Sequence, residues 1–195
     1  VGMHVPQHDP LHKVTIIPRG RAGGYTLALP MEEKYFNRRS ELGDQLAYAL
    51  GGRVAEEIIF HDPTTGAAND IEKATAMARK MVTEYGMSER VGAIKLGQST
   101  GEVFLGRDMG HQRDYSERLA ERVDTEVRTL IEQAHDEAWQ VLNDNRHILD
   151  RLAAELLEQE TLDHKQIAEI FKDVRKLPER PQWLSSDKRP VSDIP

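Results

Sequence analysis

The strongest constraint on the fold is an apolar residue at every fourth position over residues 41–60. This spacing keeps the side chains on one face of a helix; they are Leu42, Leu46, Leu50, Val54 and Ile58. Two adjacent glycines, Gly51 and Gly52, lie in the same stretch, and each costs roughly 1 kcal/mol relative to alanine inside a helix. We therefore predict a core-facing helix whose glycines permit close approach of another backbone.

A second helix is predicted after a short turn. The sequence HDPTTG that follows Phe60 contains an Asp-Pro pair and a glycine, which disfavour continued helix. The chain re-enters helix near Asn69, a good N-cap residue, and continues to Tyr85, with Gly86 as its stop. Asp70 then lies in the first turn, where a carboxylate interacts favourably with the helix dipole. This position by itself indicates no more than an ordinary helix start.

The remaining patterns predict a mainly α fold with small β elements. Residues 13–17 and 24–29 alternate in polarity around a turn-rich PRGRAGG and form a hairpin or paired edge. The other predicted elements are a short strand pair at 93–96 and 102–105 and helices at 116–143, 146–158 and 161–172. Thr161 is the predicted N-cap of the last helix, and we expect no capping box because position 164 is His. The folded domain then covers residues 1–176, and the proline-rich residues 177–195 form a disordered tail.

Composition limits the classes of function. The 195 residues contain no cysteine, so the chain has neither a disulfide framework nor a thiolate metal site. A net charge of −7 argues against electrostatic binding of nucleic acid. No apolar run approaches the roughly 20 residues needed to cross a bilayer, and no GxxxxGK[ST] phosphate loop occurs. We expect this stretch of chain to be soluble.

The histidines do not form a metal site by their spacing. His4, His8 and His12 are four residues apart, but Pro6 and Pro10 interrupt the continuous helix that would align them. We interpret these three as solvated loop residues. The others are scattered and are predicted to lie on the surface; they are His61, His111, His135, His147 and His164.

Several longer motifs occur together in order along the chain. They are KVTIIPRG at 13–20, GGRVAEEIIF at 51–60, TTGAANDIEKAT at 64–75, MVTEYGMSE at 81–89, EVFLGR at 102–107 and LLEQETLD at 156–163. In this order and spacing the chain resembles the C-terminal peptidase domain of the FtsH family, membrane-anchored and ATP-dependent zinc metalloproteases (peptidase family M41). The resemblance extends to about Lys172. It implies a helical peptidase fold of four to five helices.

The resemblance implies a role for Asp70 as the third zinc ligand. Family members also carry an HExxH motif, in which two His bind zinc and the Glu is the general base. This chain contains no HExxH, and the residues that normally follow the motif correspond to Val1 and Gly2. We therefore expect the sequence to begin just after the first two ligands and the base. No catalytic residue is then expected within the chain, which we predict to be inactive alone.

Further properties are implied only by the resemblance. The complete protein would use Zn²⁺ in the peptidase and ATP with Mg²⁺ in an ATPase domain outside this chain. It would form a homo-hexamer, be anchored by N-terminal segments at the cytoplasmic face of the bacterial inner membrane, and degrade unfolded or membrane proteins. A strand beside the zinc would bind extended substrate by main-chain pairing; Val14, Thr15, Ile16 and Ile17 are the candidates. A small hairpin closing one side of the core is the structural alternative.

One further residue is a candidate for the surroundings of the metal. Glu56 and Glu57 are adjacent on a helix and point about 100° apart, so at most one can reach a metal or its ligands. We name Glu57 as the candidate that would orient a ligating His. An exposed Glu near a helix end is the alternative interpretation.

A different class of function is a helical interaction module without catalysis. Amphipathic helices and acidity fit it equally well, but it gives no reason for paired glycines beside a turn that leads to Asp70. The two hypotheses differ in geometry. A metal-ligating Asp70 should face the region that the chain enters at Val1, whereas an assembly module has no such requirement.

Overall fold

The computed structural model describes residues 1–2, 11–18, 24–28, 36–96, 115–178, 180–181 and 183. Its elements in chain order are β1 (Leu11–Thr15), β2 (Tyr25–Ala28), α1 (Arg39–Phe60), a 3-10 helix (Thr65–Ala67), α2 (Ala68–Thr83), α3 (Glu117–Asp144), α4 (Arg146–Gln159), β3 (Thr161–Asp163) and α5 (His164–Ile170). The predicted mainly α fold with a small β component is confirmed.

Helix α1 packs against α2 and α3 and forms the main core with them. The predicted stripe is buried from Leu42 through Val54, and Ile58 is partly buried at its end. Each large apolar side chain removed from water contributes roughly 1.5–3 kcal/mol, so the stripe accounts for a large share of the folding free energy. The helix begins where the Arg38 backbone N–H donates to the Glu41 carboxylate at 2.7 Å.

The entry to α2 differs from the prediction. Asn69 is inside the helix rather than its N-cap, because a 3-10 turn precedes α2. Thr64 caps that turn, and its hydroxyl accepts a hydrogen bond from the Gly66 N–H at 3.1 Å. At the other end, α2 stops at Thr83, and Gly86 has the left-handed conformation expected of a stop, with φ +64°.

The β elements form one three-stranded antiparallel sheet in the order β2-β1-β3. Strand β1 therefore has a partner on each side. The main-chain pairing of β1 with β3 joins parts of the chain that are far apart in sequence, such as Val14 with Leu162. This sheet, α4 and α5 enclose a second core around Leu162 and Ile167, both almost fully buried.

The later helices follow the sequence closely except at α5. The Ser116 hydroxyl caps α3 by accepting from the Leu119 N–H. Helix α5 begins after Asp163, whose carboxylate accepts from the backbone N–H of Gln166, while the Gln166 side chain accepts from the Asp163 N–H. The predicted cap at Thr161 and the predicted lack of a capping box were both wrong, since Thr161 lies in β3.

The second predicted strand pair is not present in the described part. Residues 93–96 have no strand conformation, and residues 102–105 lie outside the described residues. No helix in the ranges that the structure describes has the length and apolar character needed to span a membrane.

The chain after α5 returns to the helical core. Asn145 is buried between α3 and α4, and its side chain makes two hydrogen bonds to the Arg175 backbone, at 2.8 and 3.2 Å. Arg180 donates to the buried Asp44 at 2.9 Å and to both carboxylate oxygens of Glu137 at 2.5 Å. The described residues beyond 176 thus contact α1 and α3. The boundary at residue 177 and the disorder of the tail stay predictions.

Candidate functional site

Asp70 lines an open cavity of about 990 Å³ at the junction of the sheet, α1 and α2. Its lining residues come from separate parts of the chain; they are Val1, Thr15, Gly24, Tyr25, Thr26, Tyr48, Ala49, Gly51, Gly52, Ala55, Gly66, Asn69, Asp70, Lys73, Leu142 and Leu149. Asp70 is exposed on the first turn of α2. Val1 and Asp70 therefore face the same cavity, which is the geometry expected of a metal ligand and not required of an assembly module.

Asp70 is held in place by a hydrogen-bonded turn between α1 and α2. Glu56, near the end of α1, accepts hydrogen bonds at 2.8 Å from both the backbone N–H and the hydroxyl of Thr64. The same hydroxyl accepts from the Gly66 N–H, two residues before α2 begins. These bonds from Thr64 lower the pKa of the Glu56 carboxyl, which favours its charged form. The turn thus fixes the start of α2 relative to α1.

The paired glycines of α1 open the cavity. A Cβ on Gly51 would lie 2.8 Å from the Cγ2 atom of Val1, so a side chain at this position requires Val1 to move. A Cβ on Gly52 would meet no described atom within 4 Å. The predicted close approach therefore exists only at Gly51, and it involves a side chain rather than a backbone. Gly52 instead leaves volume in the cavity.

The charge of Asp70 acts on its surroundings in the cavity. Burial, and secondly the negative charge of Asp70, raise the pKa of the Tyr48 phenol, so Tyr48 stays protonated and neutral near neutral pH. In the described part of the chain the Asp70 carboxylate makes no hydrogen bond and no ion pair. It is therefore available to an exogenous ligand.

Glu57 is directed away from this cavity. One of its carboxylate oxygens accepts from the Arg53 Nε at 2.7 Å, and the other lies 2.8 Å from the His135 Nε2. Burial raises the pKa of Glu57, but the hydrogen bonds from Arg53 and His135 outweigh it and lower the pKa overall. Glu57 was predicted to orient a His that binds the metal. In the described residues no contact of Glu57 supports that role, which stays a prediction. The His135 side chain is 35% exposed, so it lies at the surface as predicted, but it is paired with Glu57 there.

Residues 14–17 were expected to pair with an extended substrate, but the sheet order does not leave them at a free edge. Val14 and Thr15 lie in the central strand, where their backbones pair with both neighbours and cannot accept a further strand. Ile16 follows β1 and donates its N–H to the Glu160 carbonyl at 3.0 Å, and the Ile17 N–H donates to the Thr15 hydroxyl. In the described ranges β2 pairs only with β1, so the outer edge of β2 faces no other described strand.

An exposed carboxylate that bonds to none of the described residues fits the chemistry of a zinc ligand, since Asp oxygens bind Zn²⁺ at about 2.0–2.2 Å. Within the described residues no three His, Cys, Asp or Glu side chains cluster closely enough to hold a metal ion. The described part thus offers Asp70 as a single ligand. Two or more further ligands would be needed for a stable site.

Glu56 is the residue that sequence reasoning undervalued. Both members of the Glu56–Glu57 pair were weighed as metal neighbours, whereas Glu56 acts on the backbone of the turn. Its signal lies in the sequence eight residues later: Thr64, two residues before a glycine, is a turn residue with an N–H and a hydroxyl to donate.

The fold and the cavity together define a mainly helical domain that presents an exposed carboxylate, that of Asp70, beside a small sheet. This chain belongs to peptidase family M41, whose family model matches residues 1–170. The match therefore includes β1, the turn before α2 and Asp70.

Named relatives agree with this assignment over nearly the whole chain. It is 53% identical to the ATP-dependent zinc metalloprotease FtsH of Cutibacterium acnes (strain SK137), over 100% of this chain and 27% of that protein. It is 51% identical to the protein of the same name from Mycobacterium tuberculosis (strain ATCC 25618 / H37Rv), over 96% of this chain and 25% of the relative. The ATP-dependent zinc metalloprotease FtsH 1 of Thermoanaerobacter sp. (strain X514) is 51% identical, over 86% and 27% respectively. The chain thus spans about a quarter of the length of these relatives.

Proposed function

We propose that this chain is the peptidase part of an ATP-dependent zinc endopeptidase and that Asp70 supplies one of its zinc ligands. The observation that carries the proposal is the position of Asp70, whose carboxylate lines the same cavity as Val1 and bonds to no residue in the described ranges. In line with the family resemblance, we propose that an HExxH motif of the complete protease supplies the other two ligands and the general base. That motif would bring two His and one Glu to Asp70 in this cavity.

The residues of this chain prepare the cavity for hydrolysis in three ways. Asp70 offers an oxygen ligand from a helix start that the Glu56–Thr64 hydrogen bonds fix in place. Gly51 and Gly52 add no side chain to the part of the α1 wall where they lie. Strand β2 offers a main-chain edge. Zinc, when bound, lowers the pKa of its water toward 7 and polarises the scissile carbonyl.

The same cavity suits an extended polypeptide substrate. Tyr25 and Thr26 of β2 line it together with Asp70, so a peptide added at the outer edge of β2 would pass close to the ligand. Pairing through the main chain gives affinity with few requirements on sequence. We propose that the substrates are unfolded or membrane-extracted proteins, delivered by an ATPase module outside this chain within a hexamer. Segments elsewhere in the protein would anchor it to the bacterial inner membrane, with the peptidase on the cytoplasmic side.

The experiment that tests this function compares two proteins. One is this chain alone, and the other is the complete protease with its upstream HExxH segment. We expect stoichiometric zinc and ATP-dependent casein cleavage only in the complete protein, because one carboxylate cannot retain zinc. Zinc bound at one equivalent together with casein cleavage by this chain alone would contradict the proposed division of ligands. A complete protein with neither activity would contradict the function itself.

A further inference from the structure

We propose that Lys73 makes this peptidase favour substrates with an acidic residue close to the cleaved bond. The inference rests on the proposed function of the same cavity and names its substrate preference. Lys73 lies on α2 three residues after Asp70, and both side chains line the cavity. Residues three apart on a helix are neighbours on one face. The cation therefore lies next to the ligand position.

The ammonium of Lys73 is available to a substrate. Lys73 is exposed, and in the described ranges its side chain forms no hydrogen bond or ion pair. Among the described residues that line the cavity, Asp70 and Lys73 alone carry charged side chains. The rest of the lining is apolar or neutral, as with Thr26 and Asn69. No second carboxylate in that lining opposes an acidic substrate.

Metal binding would strengthen the effect of this cation. Asp70 is the one carboxylate among the described residues that line the cavity, since Glu72, directly before Lys73, is not part of that lining; without a metal the charge of Asp70 offsets that of the lysine. A divalent cation held by Asp70 compensates the carboxylate, so the cavity then has a positive balance. An aspartate or glutamate of the substrate would meet that positive field, even though the chain as a whole carries a net charge of −7.

The reach of Lys73 limits the effect to residues near the cleaved bond. Side chains at i and i+3 have Cβ atoms about 5–6 Å apart, and an extended peptide rises about 3.3 Å per residue. With the length of the lysine side chain, the ammonium can contact substrate residues within about three positions of the bond at the metal. The preference should therefore be local rather than a general affinity for acidic proteins.

The test uses the complete protease and matched fluorogenic peptides. Each pair differs only by Asp or Asn at one of the three positions on either side of the cleaved bond. At the responsive position we expect kcat/KM for the Asp peptide to exceed that for the Asn peptide roughly threefold, as for a partly exposed ion pair. The difference should lie in KM and should shrink at high salt.

Substitutions assign the preference to Lys73. In K73M the ratio of kcat/KM for the Asp peptide to that for the Asn peptide should fall to about 1, and in K73E this ratio should fall below 1. Lys80→Met is the matched control, because Lys80 is exposed on the same helix but outside the cavity lining. Fluorescence anisotropy with peptides whose scissile bond is reduced should give the same ratios for binding alone.

Two results would overturn the inference, and they are distinguishable. Equal ratios in wild type and K73M, with normal cleavage of the Asn peptide, would refute the role of Lys73 and leave the protease function intact. A wild-type enzyme that holds zinc and hydrolyses ATP but cleaves neither peptide would refute the proposed function and the inference with it.

Discussion

Glu56 and Thr64 are joined by two hydrogen bonds of 2.8 Å, one from the backbone N–H of Thr64 and one from its hydroxyl. This pair connects the end of α1 to the turn that starts α2, and Asp70 lies one turn further along. The position of the proposed zinc ligand therefore depends on a residue that does not touch the metal.

Glu56→Ala should weaken zinc binding by the complete protease roughly tenfold, the lower end of the effect of outer-shell substitutions. The reason is that the turn loses both bonds to Thr64, so the start of α2 is no longer fixed. Zinc affinity measured by chelator competition checks the expectation. Glu72→Ala, an exposed carboxylate within α2, is the control and should leave affinity unchanged. Equal affinities for wild type and Glu56→Ala would show that the turn does not position Asp70.

Gly52→Ala should stabilise the chain while impairing the complete enzyme. Alanine is favoured over glycine inside a helix by about 0.5–1 kcal/mol, and the new Cβ meets no described atom within 4 Å. The same methyl group enters the cavity, so kcat/KM should fall. Urea unfolding and peptide cleavage measure the two effects.

Gly51→Ala provides the contrast to Gly52→Ala. Its Cβ would lie 2.8 Å from the Val1 Cγ2 atom, so Val1 must move and the stabilising effect should be absent. A Gly52→Ala enzyme with full activity would indicate that the volume beside Gly52 is not used in catalysis.

Arg180→Ala should lower the free energy of unfolding by about 2 kcal/mol. The substitution removes hydrogen bonds to the buried Asp44 and both bonds to Glu137, which together connect the C-terminal segment to α1 and α3. Urea unfolding is the measurement. Lys176→Ala, an exposed neighbour, should change stability by less than about 0.5 kcal/mol. If both variants unfold alike, the segment beyond residue 176 contributes nothing to the fold.

The Glu57 carboxylate should make stability depend on pH in the acidic range. Arg53 and His135 hold its folded-state pKa below the ordinary 4.5, against the effect of burial. A lowered pKa means that this contribution is present above about pH 4.5 and is lost as the pH falls through the folded-state value. Between about pH 6 and pH 3, wild type should lose more stability than Glu57→Gln, by less than about 1 kcal/mol for a partly exposed group. Parallel pH profiles would contradict this assignment.

The parts of the fold that depend on local pattern could be predicted from the sequence. The stripe from Leu42 to Val54, the start of α3 near Ser116 and the left-handed Gly86 each have a signal within a few residues. Strand β3 could not be predicted, because three residues carry little periodicity and its pairing partner lies about 150 residues earlier. Because β3 is not predicted, the sequence indicates a hairpin or paired edge for β1, whereas β1 is the central strand of the sheet.

The candidate site, like the fold, could be predicted only where its signal is local in the sequence. Asp70 was identified through long motifs in one continuous stretch. The contacts of Glu57 with His135 and of Arg180 with Asp44 join residues 78 and 136 positions apart, and single charged residues give no signal of such pairing. The cavity itself is a property of packing. Gly52 could be noted as unusual, but the open volume beside it is visible only in three dimensions.

The zinc content of the complete protease tests the central claim most directly. Wild type, Asp70→Ala and the control Glu72→Ala would be purified, their folding verified by circular dichroism, and their zinc measured by elemental mass spectrometry. We predict about one zinc per chain in wild type and control, and loss of both zinc and casein cleavage in folded Asp70→Ala. Folded Asp70→Ala that retains one zinc per chain and full cleavage would contradict the account.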